Sequence, residues 1–267
     1  MAHVDERRID GLRAQYVAAR GRGDSRDPPE WPPRLERFTR VREIRPMSIL
    51  IEAAVESLDD ARAAIAGGVD RLELCAELGV GGTTPPHALV ADVIARVEVP
   101  VLVMIRPRAG DFVYTRAELD RMHTDIGAVL ALGAAGVVLG ALDLSRRVDV
   151  VATGELIAAA RGRPVTFHRA IDETPDVLEA IDSLVSLGVT RVLSSGAAPT
   201  ALDGADTLAA MVARAGEGLR IVAGGGVRAG NVAAIVRRTG VGEVHARCGG
   251  EAERIRAIAN AVGRGEW

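Results

Sequence analysis

A chain of 267 residues with 48% apolar and 3% aromatic side chains is long enough for one large core built from Ala, Val, Leu and Ile. Its formal charge of −3 offers no basic excess for nucleic acid, and no apolar run approaches the ~18 residues a membrane helix needs. The 33 basic residues include no Lys, which excludes Schiff-base and pyridoxal-phosphate mechanisms because both need a lysine amine.

Residues 1–46 are rich in Arg, Asp, Glu and Pro, with Pro28-Pro29 and Pro32-Pro33 breaking any long element. They read as an N-terminal extension in which a helix over 5–20 would place Ile9, Leu12, Tyr16 and Val17 on one face. The charged start lacks an apolar signal region, so a cytoplasmic chain is expected. Cys75 and Cys248 are too few for a disulfide framework. Met47 stands directly before the first strand, and residues 47–267 read as one domain.

From there strand and helix patterns alternate. Ser48–Ala53 is a β-rich run, and Ser57 caps a helix over Leu58–Ala66 that Gly67-Gly68 closes. Strands follow over Asp70–Cys75, Val99–Ile105, Gly136–Leu142 and Val165–Ala170. Their helices run over His87–Val97, Arg116–Leu132, Val150–Ala160 and from Pro175 to Leu187. Strands over Arg191–Ser195, Arg220–Ala223 and Glu243–Cys248 alternate with helices over Leu202–Ala215, Asn231–Arg238 and Glu251–Val262. Eight such units predict an α/β fold, a single parallel (β/α)8 TIM barrel. An open doubly wound sheet is the alternative, but no GxGxxG follows the first strand.

Barrel enzymes place their sites at the C-terminal strand ends, so the polar residues there carry the functional reading. Glu52 stands near the end of strand one, and Glu73 and Cys75 lie two apart on one face of strand two. Strand three runs into Arg106 and Arg108. Strand five carries His168, with Arg169 and Asp172 just beyond, and His245 shares a face of strand eight with Glu243 and Arg247. Burying so many charges is costly unless each has a partner or a use, which points to a functional pocket.

Gly224-Gly225-Gly226 after strand seven leads through Arg228 into a helix N-terminus, and Ser195 ends strand six. Glycines there let backbone N–H groups approach an anion that the helix dipole favours. A small anionic ligand is therefore expected at Ser195, Gly224, Gly225, Gly226 and Arg228. Cys75, Cys248, Met104 and His245 are the donors available to a soft metal such as Cu(I), although no CxxC is present.

The stretches Gly68–Cys75, Gly81–Pro85, Ile105–Arg108 with Gly110–Phe112, and Val165–Ala170 with Asp172 resemble the copper-homeostasis CutC family. Arg191–Gly196, Gly224–Val227 and Glu243–His245 extend the resemblance over about residues 48–248. It implies a barrel, a cytosolic location, a homo-oligomer and a role in copper tolerance or trafficking, with Cu(I) on cysteines near the mouth. Ala53, Ala54 and Val55 stand where relatives carry one or two cysteines, which leaves Cys75 and, in a substitute role, Cys248.

Two functions follow. One is a copper-binding homeostasis protein with a copper ion as partner. The other is a barrel enzyme acting on a small anionic or phosphorylated substrate. There Arg106 and Arg108 would hold a second oxyanion or carboxylate, Glu52, Glu73, His168 or His245 would transfer protons or hold a divalent metal, and Asp172 joins them as a catalytic candidate. A purely structural partner protein would not need a charged barrel mouth.

Overall fold

Eight parallel strands close in sequence order into one barrel, each pairing with the next and β8 pairing back onto β1. The strands are β1 (Leu50–Val55), β2 (Arg71–Leu74), β3 (Val101–Met104), β4 (Gly136–Leu139), β5 (Val165–Phe167), β6 (Arg191–Ser194), β7 (Arg220–Ala223) and β8 (Glu243–Arg247). Helices follow them in turn: α1 (Leu58–Ala66), α2 (His87–Ile94), α3 (Arg116–Ala131), α4 (Val150–Ala159), α5 (Val177–Ser186), α6 (Ala205–Ala215), α7 (Ala229–Thr239) and α8 (Ala252–Ala261). This computed structural model describes residues 49–263. The expected extension over residues 1–46 and its helix lie outside the described residues. Among the described residues no helix is long and apolar enough to cross a membrane.

Strand alternation divides the core into two layers. Outward positions such as Ile51, Leu72, Val103, Leu139, Phe167, Val192 and Val244 pack against the helices in one large cluster. Inward positions form a smaller cluster of Ala54, Cys75, Leu78, Leu102, Met104 and Val138. In α5, Val177, Ala180, Ile181 and Leu184 repeat at helical spacing and are buried, which presents one apolar stripe to the barrel. Asp176 caps that helix by accepting the N–H groups of Leu178 and Glu179, and Thr115 and Glu118 form a capping box on α3.

Several boundaries differ from the sequence expectation, and three have a cause in the hydrogen bonding. β1 reaches Val55 rather than Ala53, because its pairing with β2 continues to Val55–Leu74. β5 stops at Phe167 instead of Ala170: Ala170 donates its N–H to His168 Nδ1 at 3.2 Å, and the chain turns into a 3-10 helix over Arg169–Glu173. α6 begins at Ala205 rather than Leu202, because Gly204 donates to Thr200 O and turns the chain first.

Candidate functional site

The strand starts carry an ion network that faces inward. Arg71 opens β2, pairs through Nε with Glu52 Oε2 and donates from Nη2 to Glu243 Oε2 at 2.5 Å. Arg220 reaches Glu243 at 3.3 Å and Arg191 stands 3.9 Å away. Burial works against the Arg71 charge, but Glu52 and Glu243 more than offset it and raise the guanidinium above its ordinary value. Arg191 is lowered by burial and by the Arg71 charge.

Toward the mouth the same barrel is less complete. Register sets Glu52 opposite His245 and Ala54 opposite Glu73, so two carboxylates and one imidazole converge from three neighbouring strands. His245 Nε2 lies 3.4 Å from Glu73 Oε1 and 4.0 Å from Glu52 Oε1. Glu52 Oε1, Glu73 Oε2 and His245 Nε2 are buried and make no hydrogen bond among the described residues. Burial pushes the Glu73 carboxyl up, but the neighbouring His245 charge outweighs it and holds it below the usual carboxylate range. For His245 burial acts downward, and Glu73 overrides it to favour the imidazolium.

His168 closes the opposite wall. Its ring sits 4.8 Å from the Phe112 ring, and Gly140 leaves it room: a Cβ at Gly140 would lie 2.6 Å from the imidazole. Burial first, and then the Arg106 charge, lower its pKa to about 3, so the ring is neutral at physiological pH. Because Nδ1 accepts the Ala170 N–H, the neutral ring carries its proton on Nε2, which has no partner among the described residues.

These groups open on a cavity of 980 Å³ lined by Glu73, Met104, Arg106, Phe112, His168 and His245, among others, on one side. Its other side carries Arg169, Gly225, Gly226, Val227, Arg228 and Arg254. Among the described residues the N–H groups of Gly225, Gly226 and Val227 have no hydrogen-bond partner. Gly225 has φ +98, and a Cβ there would stand 3.1 Å from Ser195 Cβ and 3.5 Å from an Arg169 guanidinium nitrogen. The corner is therefore flanked by a cation and closed to larger side chains. Asn231 pins it, accepting the Arg228 N–H at 2.9 Å and donating to Gly226 O at 2.9 Å.

Several expected site residues hold the walls. Arg106 donates to Val80 O, Gly82 O and Gly110 O at 3.1, 3.0 and 2.8 Å, and lies 4.7 Å over the Phe112 ring. Arg108 is outside the cavity lining: it donates to Val113 O at 2.8 Å and pairs with Glu118 and Asp111. Asp172 accepts from Ser194 Oγ, from the N–H groups of Ser195 and Ala197, and from Arg169 Nε. Ser195 Oγ accepts from Arg169 Nη2 at 2.8 Å and lies 2.6 Å from Ala198 O. Gly224 ends β7 beneath the corner, donating its N–H to Ser194 O at 2.9 Å. Sequence reading missed Arg71, whose parity with Glu73 was the available signal, and Arg254, which lies on the final helix and carried none.

The two thiols lie on opposite faces of the barrel wall. Cys75 belongs to the inner cluster, and its S–H stands 3.3 Å from Glu73 Oε1. Cys248 belongs to the outer cluster with Ala246 and Ile255, and its Sγ is 3.8 Å from Glu251 O. Burial and then Glu73 push the Cys75 thiol well above its ordinary pKa, and burial raises Cys248. A shared two-cysteine copper site does not fit this arrangement.

A profile of the CutC family matches residues 49–250. The chain belongs to the CutC family. A CutC family protein of Caulobacter vibrioides (strain NA1000 / CB15N) is 48% identical over 202 residues, covering 76% of this chain and 82% of the relative. One from Xanthomonas campestris pv. campestris (strain B100) is 46% identical over 200 residues, covering 75% and 83%. The solved structure of a putative copper homeostasis protein CutC from Streptococcus agalactiae is 37% identical with a TM-score of 0.71. That match covers 74% of this chain and 97% of the other.

Proposed function

We propose that this CutC-family barrel is an enzyme acting on a small anionic, carbonyl-bearing molecule bound at its mouth. One observation carries the reading: Glu73 Oε2, His245 Nε2 and His168 Nε2 are buried, unpartnered and belong to residues lining one cavity. Buried polar atoms are almost always hydrogen-bonded, so three exceptions around one space mark a place kept for a ligand. The free N–H groups at Gly225–Val227, beside Arg169 and Arg228, suit the anionic end. His168 supplies a neutral N–H donor, which stabilises negative charge developing on a substrate oxygen without giving up its proton. The centre formed by Glu52, Glu73 and His245 handles the charge displaced. Two carboxylates and an imidazole around one point can take up a proton or hold a cation.

The test has two parts. Inorganic phosphate titrated by calorimetry should bind, and Gly225→Val should abolish the heat. A panel of small phosphorylated ketones and aldehydes in D2O, followed by proton NMR, should show a carbon-bound proton exchanging, with loss of exchange in His168→Gln. Neither phosphate binding nor exchange with any member would overturn the reading.

Copper remains as a second reading on one observation: Cys75 Sγ and Met104 Cε lie 3.2 and 3.5 Å from the same point, the Cβ position at Gly82. A thiol and a thioether are soft donors suited to Cu(I). Against it, Cu(I) needs the thiolate, and burial beside Glu73 disfavours that form. Stoichiometric Cu(I) uptake lost in Cys75→Ser would establish this reading, and no uptake in competition with a Cu(I) chelator would remove it.

A further inference from the structure

We infer that Glu52, Glu73 and His245 form a binding site for one divalent first-row cation, with Mn2+ and Zn2+ the fitting ions. The inference deepens the enzyme reading, on which its catalytic use rests, but the binding itself stands on separate geometry. One donor atom from each of the three residues lies within 4.8 Å of the other two. An ion with bonds near 2.1 Å needs donors about 3.0–4.2 Å apart, depending on the angle between them. The distances of 3.4 and 4.0 Å from His245 Nε2 to the two carboxylates fall in that range.

The second observation is the unfinished state of these donors. Glu52 and Glu73 are 0% and 2% exposed. Arg71 takes Glu52 Oε2 but also serves Glu243, and it leaves Glu52 Oε1 without a hydrogen bond. Cys75 directs its S–H to Glu73 Oε1, and Glu73 Oε2 is left alone. A plain ion pair between Glu73 and His245 does not complete the group, because His245 Nε2 makes no hydrogen bond at 3.4 Å and Glu52 Oε1 is still unserved. Two carboxylates this close repel each other in a water-poor interior, and a doubly charged ion answers both at once.

The donor set selects the ion. Two carboxylate oxygens alone would suit Mg2+ or Ca2+, and an imidazole added to them favours borderline first-row metals. Arg71 and Cys75 act as the outer partners that orient the two carboxylates. Glu73 and His245 also line the cavity, so an ion held there could take a substrate oxygen and polarise the carbonyl.

Full-length protein stripped with chelator and dialysed should bind one equivalent of Mn2+, read by loss of the free-ion electron paramagnetic resonance signal. Zn2+ should compete for the same site by calorimetry. Glu73→Gln and His245→Asn should each remove binding, with folding checked by circular dichroism, and Cys75→Ser should retain it. A stripped wild-type protein that binds neither Mn2+ nor Zn2+ overturns the inference and leaves phosphate binding and exchange to judge the enzyme reading. Binding that survives Glu73→Gln but fails in Cys75→Ser also overturns it, in favour of a thiolate site. Mn2+ uptake without phosphate binding or exchange would uphold the cation and sink the enzyme.

Discussion

Two groups of buried charge sit one layer apart inside the same barrel, and they are completed differently. At the strand starts Arg71 bridges Glu52 and Glu243, with Arg191 and Arg220 beside them. One layer toward the mouth, Glu73 and His245 face each other with atoms left over. The lower group holds strands together. The upper group tolerates unpaired charge, and its incompleteness is what a ligand would answer.

The largest expected effect separates the two. Arg71→Met should cost about 3–5 kcal/mol, because it leaves buried Glu52 without an arginine and strips Glu243 of its nearest one, with only Arg220 and Arg191 remaining. Glu73→Gln should cost far less, since it removes a charge that the protein does not fully satisfy. Urea denaturation of both variants checks this, and equal losses would erase the distinction.

Next in size is Gly140→Ala. Its Cβ would sit 2.6 Å from the His168 ring, and forcing that contact should cost about 1–3 kcal/mol. It should also slow the exchange reaction by displacing the imidazole.

A third effect, read per pH unit, is a slope in stability. Burial and the Arg106 charge push His168 down to about 3 in the folded chain, from the ordinary 6.5. Between those values the unfolded chain binds the extra proton, so stability present above pH 6.5 falls as pH drops toward 3. The slope is about 1.4 kcal/mol per pH unit. Comparing wild type with His168→Asn by denaturation from pH 7 to pH 4 should show the steeper decline in wild type. Parallel curves would mean that the ring is not held neutral.

Much of this was legible in the sequence. Period-two alternation puts Glu73 with Cys75 on one face of strand two, and His245 with Glu243 and Arg247 on one face of strand eight. The glycine run at residues 224–226 announced a corner. What alternation cannot supply is stagger: Glu52 lies opposite both Arg71 and His245 only because closure of the barrel sets that register. For the same reason Glu52 read as a mouth residue, although it reaches down to the lower network as well. Arg106, Arg108 and Asp172 were visible as charges near strand ends, but many of their partners are loop carbonyls and loop amides. No sequence pattern shows where a long side chain will find a backbone oxygen.

Arg106 has a consequence for anyone redesigning this protein. One guanidinium holds carbonyls at Val80, Gly82 and Gly110, while its own N–H goes to Thr84 Oγ1. The loops after β2 and β3 are thereby a single mechanical part. A graft that replaces either alone will arrive with half its fastenings missing, so a swap of mouth specificity has to carry both loops and the arginine together.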